Sequence, residues 1–240
     1  MLELKNICFE INGKKILNNI NLCIEDKSLI AFTGPNGSGK STLMKIIMGI
    51  ETPTTGEVYW NGRNITKLSI DERAKLGIAF AFQSPISFKG LTVADMLSLA
   101  TGKKLNFCEV CDCLASVGLC AKDYANREID GALSGGESKR IEIASVLARK
   151  WQCVIFDEPE AGIDLWSFGK LIEVFKDLHT NNNGIMLIVS HQEKLLDIAD
   201  KIIILGNGEI TKIGDKGDLL GQVFGVQREC KKGIGEENNG

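Results

Sequence analysis

The stretch "FTGPNGSGKSTL" (Phe32–Leu43) constrains this chain more than any other, because glycine crowds a segment only where backbone must bend sharply or lie close to something. It follows the apolar run "LIAF" and precedes "STLMKIIMGI", whose apolar residues recur at helical spacing, so it joins a strand to a helix. Gly34 to Ser41 fits G-x-x-x-x-G-K-[ST] in the strand–loop–helix setting that the motif needs. Gly34, Gly37 and Gly39, with Pro35, Asn36 and Ser38 between them, let successive N–H groups turn inward around phosphate oxygens. A helix starting at Lys40 adds its positive end. Lys40 would reach the β- and γ-phosphates, Ser41 would ligate Mg²⁺ and Thr42 would bond a further phosphate. The loop is shaped for a nucleoside triphosphate.

"CVIFDEPE" supplies the acidic counterpart. Four apolar residues read as a buried strand that delivers Asp157 and Glu158 to its end, where ligands sit in open parallel sheets. Asp157 suits the Mg²⁺ shell, and Glu158 is placed to orient and deprotonate an attacking water.

Around these motifs the chain alternates. Strands are expected at Leu2–Ile11 and Asn19–Ile24, with a turn at "NGKK", and a hairpin in "GEVYWNGRNI" turns at Asn61-Gly62. After "GIAFAFQ" the pattern from about Pro85 to Gly131 is mostly helical with no convincing strand, a candidate inserted subdomain. Then helix 137–150, strand 153–156, helix 165–179, strand 184–189, helix 193–199 and strand 201–205 alternate, which builds a mainly parallel sheet covered by helices. The fold class is therefore α/β, a P-loop NTPase with a parallel core, an N-terminal antiparallel β subdomain and a helical insertion. One domain is expected over residues 1–223, with the polar, glycine-rich 224–240 as a flexible tail.

Net charge is −3, without the basic surplus of a dedicated nucleic-acid binder. No apolar run approaches the roughly 20 residues that cross a bilayer, so a cytoplasmic chain is expected. Of the 8 cysteines, Cys8, Cys23 and Cys153 fall in strand-like runs and are expected to be small buried residues. Cys108, Cys111, Cys113 and Cys120 could suggest a metal site, but they read as one helix, where Cys111 and Cys113 point to different faces, and buried thiols are the preferred reading. His179, at a helix end, is read as structural.

"LSGGESKRIEIASVLA" (Leu133–Ala148) sets Ser134, Gly135 and Gly136 before a helix, a second anion cradle, or simply an N-cap completed by Glu137. With LSGGE at Leu133–Glu137 the chain resembles the ATPase subunits of the ABC superfamily from Met1 to about Val223. The resemblance implies ATP as substrate and assigns further residues. Gln83 in "AFAFQSP" matches the glutamine that senses Mg²⁺, Asp164 in "EAGID" the D-loop aspartate, and His191 in "IVSHQ" the switch histidine at the γ-phosphate. In that family two cassettes face head to tail, so Ser134, Gly135 and Gly136 would serve a second copy's ATP. The family's adenine-stacking aromatic falls at Ile11, a departure that gives up aromatic stacking.

Within the superfamily the chain is most similar to SufC-type ATPases of iron–sulfur cluster assembly. The resemblance lies in Ile11, in "AFAFQSP" and in "FDEPEAGIDLWSF", where most transporter cassettes have Thr-Ser/Ala in place of Glu160-Ala161. It implies a SufB/SufD-like scaffold partner. The alternative is the ATP-binding subunit of a transporter, docked on an ABC permease subunit. No nucleic-acid partner is expected. Trp166 is expected to be buried against the following helix, with a partner contact as the alternative.

Overall fold

The computed structural model describes residues 1–84, 88–129 and 133–221. β1 (Leu2–Ile11) and β2 (Lys14–Ile24) form a hairpin, and β3 (Leu29–Thr33) runs into the Gly-rich loop and α1 (Lys40–Met48). β4 (Thr55–Trp60), β5 (Arg63–Asn64), α2 (Ile70–Lys75) and β6 (Ile78–Ala81) follow. Next come β7 (Phe88–Thr92), α3 (Val93–Thr101), α4 (Phe107–Ser116), α5 (Ala121–Tyr124) and β8 (Glu128–Ile129). The chain then alternates through α6 (Gly135–Ala148), β9 (Cys153–Asp157), α7 (Leu165–Asn181), β10 (Ile185–Val189), α8 (Glu193–Leu196), β11 (Lys201–Gly206) and β12 (Glu209–Asp215).

The central sheet has the order β12-β11-β3-β10-β9-β6, parallel throughout except for the antiparallel edge strand β12. Its inner strands are buried on both faces, so they read as unbroken apolar runs rather than alternating ones. In β9, Val154 and Phe156 join the core packed by α6 and α7, while Cys153 and Ile155 point to the core around α1. That second core is closed by an antiparallel sheet of order β2-β1-β4-β5. Arg73 of α2 is fully buried beneath α1, donating to the carbonyls of Ile46 (2.6 Å), Ile47 (2.8 Å) and Thr66 (2.9 Å). It thereby satisfies orphan carbonyls at the C-terminus of the helix that carries Lys40. Burial pushes this guanidinium down to about 10.

Several expectations are corrected. The second strand starts at Lys14, not Asn19, because Asn12 and Gly13 take the positive φ of a tight hairpin turn (51° and 77°). The mostly helical insertion does hold strand: β7 and β8 pair antiparallel, too short to show a period in the sequence. Its stated ends, Pro85 and Gly131, and the tail 224–240 lie outside the described residues. The helix expected over 193–199 covers only Glu193–Leu196. Strand β12 was missed because its edge position leaves it without a buried face.

Among the strand cysteines only Cys153 is buried; Cys8 is half-buried and Cys23 exposed. Both lie in the antiparallel sheet, where successive side chains take opposite faces, and both fall on the outward one. In the insertion, α4 holds Cys108, Cys111 and Cys113, whereas Cys120 lies beyond it at the N-cap of α5. Cys108 and Cys120 are exposed, against the expectation of buried thiols. Trp166 is exposed too, at 87%, because the buried stripe of α7 is Phe168, Leu171, Ile172 and Phe175 and Trp166 stands off it. His179 pairs with Asp200 at 3.1 Å.

Burial pushes the Cys153 thiol up to about 12. Alkylation of the native protein, followed by peptide mass spectrometry, is expected to label Cys23, Cys108 and Cys120 and spare Cys153 until denaturant is added.

Candidate functional site

The Gly-rich loop can be made only of glycine at two points. A Cβ on Gly34 would lie 2.0 Å from the Leu205 carbonyl oxygen, and one on Gly39 would lie 2.5 Å from Leu17 Cδ2, with φ at 136° and 98°. The loop is thus wedged between β11 and β2. Gly39 caps α1 without a side-chain acceptor, and no acidic residue occupies its first turn. By contrast α2, α3, α4 and α6 each begin with a capping box. The N–H groups opening α1 are therefore left for an external anion. Ser38 is buried, and its hydroxyl has no protein partner, a donor suited to the same anion.

Lys40 is buried and donates to the carbonyls of Gly34 (2.8 Å) and Pro35 (2.9 Å). Desolvation lowers its pKa, and the carboxylates of Glu158 and Asp157 counter that. Ser41 Oγ donates to Asp157 Oδ1 at 3.0 Å, and burial pushes the Asp157 carboxyl up. Gln83 Nε2 donates to Glu158 Oε2 at 2.6 Å. Glu158 has φ 47°, the left-handed region that non-glycine residues avoid, and its N–H is held by the Val189 carbonyl at 2.9 Å. Strained backbone of this kind survives where surrounding structure over-determines it. His191 follows β10; desolvation, then the charge of Lys40, hold its imidazole below the usual range.

A cleft of about 580 Å³ gathers Lys40, Ser41, Thr42, Gln83, Glu158 and His191. Asn36, Gly37 and Gly39 also line it, and Asp157 reaches it through Ser41. Two further residues, Lys14 and Ile16, line it without belonging to any motif. Ile11 is not in the lining; it is 48% exposed. Nothing in a single sequence marks Lys14 and Ile16, since their place follows from the start of β2.

Ser134, Gly135, Gly136 and Asp164 are absent from that lining and form a second group. Ser134 accepts from the Glu137 N–H at 3.3 Å while Glu137 accepts from the Ser134 N–H at 2.8 Å, so the N-cap completed by Glu137 is present. Gly136 lies against the Gly162 carbonyl, where a Cβ would approach to 2.6 Å, and Asp164 caps α7 through the N–H groups of Trp166 and Ser167.

Helix α6, which begins at the second group, also reaches the residue before Gln83. Lys139, fully buried, donates to the Phe82 carbonyl and pairs with Glu142 at 3.4 Å, while Glu142 Oε1 accepts from the Phe82 N–H at 2.7 Å. Burial lowers the Lys139 pKa and raises that of Glu142. Removing either partner would leave the other charge buried, at a cost of about 3–5 kcal/mol. This pair holds the residue before Gln83 at both of its backbone groups, and neither Lys139 nor Glu142 was singled out from the sequence.

Comparison with known proteins fits this geometry. A family model described as "ABC transporter" matches residues 17–161. The chain belongs to the ABC transporter ATPase family. It is 35% identical over 240 residues to the uncharacterized ABC transporter ATP-binding protein MJ0035 of Methanocaldococcus jannaschii, covering 97% of this chain and 94% of that protein. It is 33% identical to the probable ATP-dependent transporter ycf16 of Cyanidium caldarium, over 90% of each chain. The fold matches a solved dimer of the ATP-binding cassette MJ0796 in a post-hydrolysis state with ADP and Pi. The TM-score is 0.81 at 27% identity, covering 90% of this chain and 99% of that one. This ABC ATPase is an ATP-hydrolysing cassette. Among the described residues no helix is long and apolar enough to cross a membrane.

Gly34→Ala is expected to lower stability by about 1–3 kcal/mol, because Leu205 offers backbone and no flexible atom to give way. Thermal unfolding measures this, and titration of a fluorescent ATP analogue is expected to show a matching loss of affinity.

Proposed function

We propose that two copies of this cassette, each spanning residues 1–223, pair head to tail around Mg-ATP and split it to drive a conformational change in a bound partner. The observation that carries this reading is the separation of Ser134–Gly136 from the cleft that gathers Lys40, Glu158 and His191. In a lone chain the Ser134–Gly136 turn is capped by its own Glu137 and stands away from the cleft, and in this reading it meets a nucleotide only when a second copy supplies one.

In this reading the loop amides and the Ser38 hydroxyl receive the phosphates, and Lys40 exchanges the carbonyls of Gly34 and Pro35 for β- and γ-oxygens. Ser41, Asp157 and Gln83 offer a hydroxyl, a carboxylate and an amide, hard oxygen donors that suit Mg²⁺. The metal, when bound there, neutralises charge on the β- and γ-phosphates. Glu158 takes a proton from the attacking water as that oxygen bonds to the γ-phosphorus and the bond to the β-phosphate oxygen breaks. His191 donates toward the γ-phosphate, and Asp164 orders the turn facing the second copy. Loss of the bridging anion then lets the copies part.

For the partner we favour a soluble SufB/SufD-like scaffold in the cytoplasm, on the resemblance of Phe156–Phe168 to SufC-type ATPases. The surface we propose for that partner is an apolar groove of about 390 Å³, lined by Phe82, Phe88, Met96, Leu99, Ile141 and Glu142, beside the buried Lys139–Glu142 pair. The second reading is a transporter subunit docking an ABC permease at the same groove. It is favoured by relatives named for import, such as the sulfate/thiosulfate import ATP-binding protein CysA of Mesostigma viride, at 35% identity over 90% of this chain and 62% of that protein.

Glu158→Gln is expected to bind ATP, lose turnover by about 100-fold or more, and accumulate as a dimer on size-exclusion chromatography; hydrolysis at the normal rate removes Glu158 from the base role. Affinity purification from native cells decides the partner. A soluble scaffold supports the SUF reading, and a membrane permease replaces it with the transporter.

A further inference from the structure

Glu160 has no part in the mechanism above, yet its carboxylate is built into the site. Oε1 accepts a hydrogen bond from Ser190 Oγ, and the same hydroxyl accepts the Gln192 N–H at 2.9 Å. Its other oxygen, Oε2, is sealed from solvent with no partner. A carboxyl left half-satisfied in the interior carries a desolvation cost that a smaller or apolar residue would avoid. Here the return is geometric: the carboxylate orients the Ser190 hydroxyl, which in turn takes the Gln192 N–H and so bridges the residues on either side of His191.

The tie has a definite direction. Glu160 lies on the turn after β9, and Ser190–Gln192 form the turn after β10, the neighbouring parallel strand. The same two turns are joined by the Glu158 N–H on the Val189 carbonyl at 2.9 Å, and the Ser190 N–H is fixed on the Phe32 carbonyl at 3.1 Å. Backbone bonds therefore hold the turn at Ser190, and again at Gln192, whose carbonyl accepts the N–H groups of Leu195 (3.0 Å) and Leu196 (3.1 Å). Between these two points the residue that bears the imidazole is spanned by the Ser190 hydroxyl, which Glu160 orients.

We propose that Glu160 is a positioning residue for the switch: through Ser190 it sets the turn that carries His191 and so fixes the imidazole relative to Glu158 across the γ-phosphate. This rests on the hydrolytic role proposed for His191. A misplacement of about 1 Å in such a group can cost on the order of 100-fold in rate, with binding little changed.

The test is a double-mutant cycle on full-length protein, with kcat, KM for ATP and thermal midpoint measured for each variant. Glu160→Ala and Ser190→Ala are each expected to lower kcat about 10- to 100-fold, with KM within about twofold. Combined with His191→Ala, neither is expected to lower kcat further. Glu160→Gln, whose carbonyl oxygen still accepts from Ser190, is expected to recover most of the loss. Ser190→Ala keeps the cycle decisive should Glu160→Ala fold poorly. Losses that multiply with that of His191→Ala, or a fall in thermal midpoint with kcat unaltered, overturn the proposal while leaving the role of His191 standing. A normal rate in His191→Ala itself overturns both.

Discussion

Everything in this cassette is arranged around backbone that no side chain may enter. The Gly-rich loop passes between β11 and β2 so closely that Gly34 meets the Leu205 carbonyl and Gly39 meets Leu17. Those contacts fix the loop's path, leave the first N–H groups of α1 uncapped, and aim Lys40 inward. Arg73 secures the far end of the same helix from below. Between the two ends, α1 packs Leu43, Met44, Ile46 and Ile47 into the core it shares with the antiparallel sheet. A phosphate site made from amides needs this rigidity, since amides pre-aimed at an anion need not reorganise when it arrives.

The parts of the fold legible in the sequence were those with strong local signals. The loop motif, the fully apolar strands that become β3, β9 and β10, and the Asn61-Gly62 turn were all read directly. What escaped was set by neighbours. Cys23 and Trp166 looked buried because apolar runs surround them, but one lies on the outward face of an edge strand and the other off the stripe of α7. The pairing of β7 with β8 joins segments far apart in the chain and carries no periodic mark.

The candidate site divides in the same way. Lys40, Ser41, Gln83, Glu158 and His191 were found by motif, and they share one cleft. Lys14, Ile16, Lys139, Glu142 and Glu160 enter through tertiary structure. In the sequence a charged helix such as "ESKRIEIA" looks like a solvated face, and only the packed molecule makes Lys139 one of its most deeply enclosed residues. The charges that hold the site are thus harder to read than those expected to act in it.

The grip on Phe82 makes one residue answer to two surfaces. Its ring lines the apolar groove, and its peptide groups are clasped by Lys139 and Glu142. One step along the chain, Gln83 touches Glu158. A body pressed into the groove would therefore bear on the Phe82 ring, and any shift of that residue would pass one step along the chain to Gln83 and to the carboxylate proposed to take the water's proton.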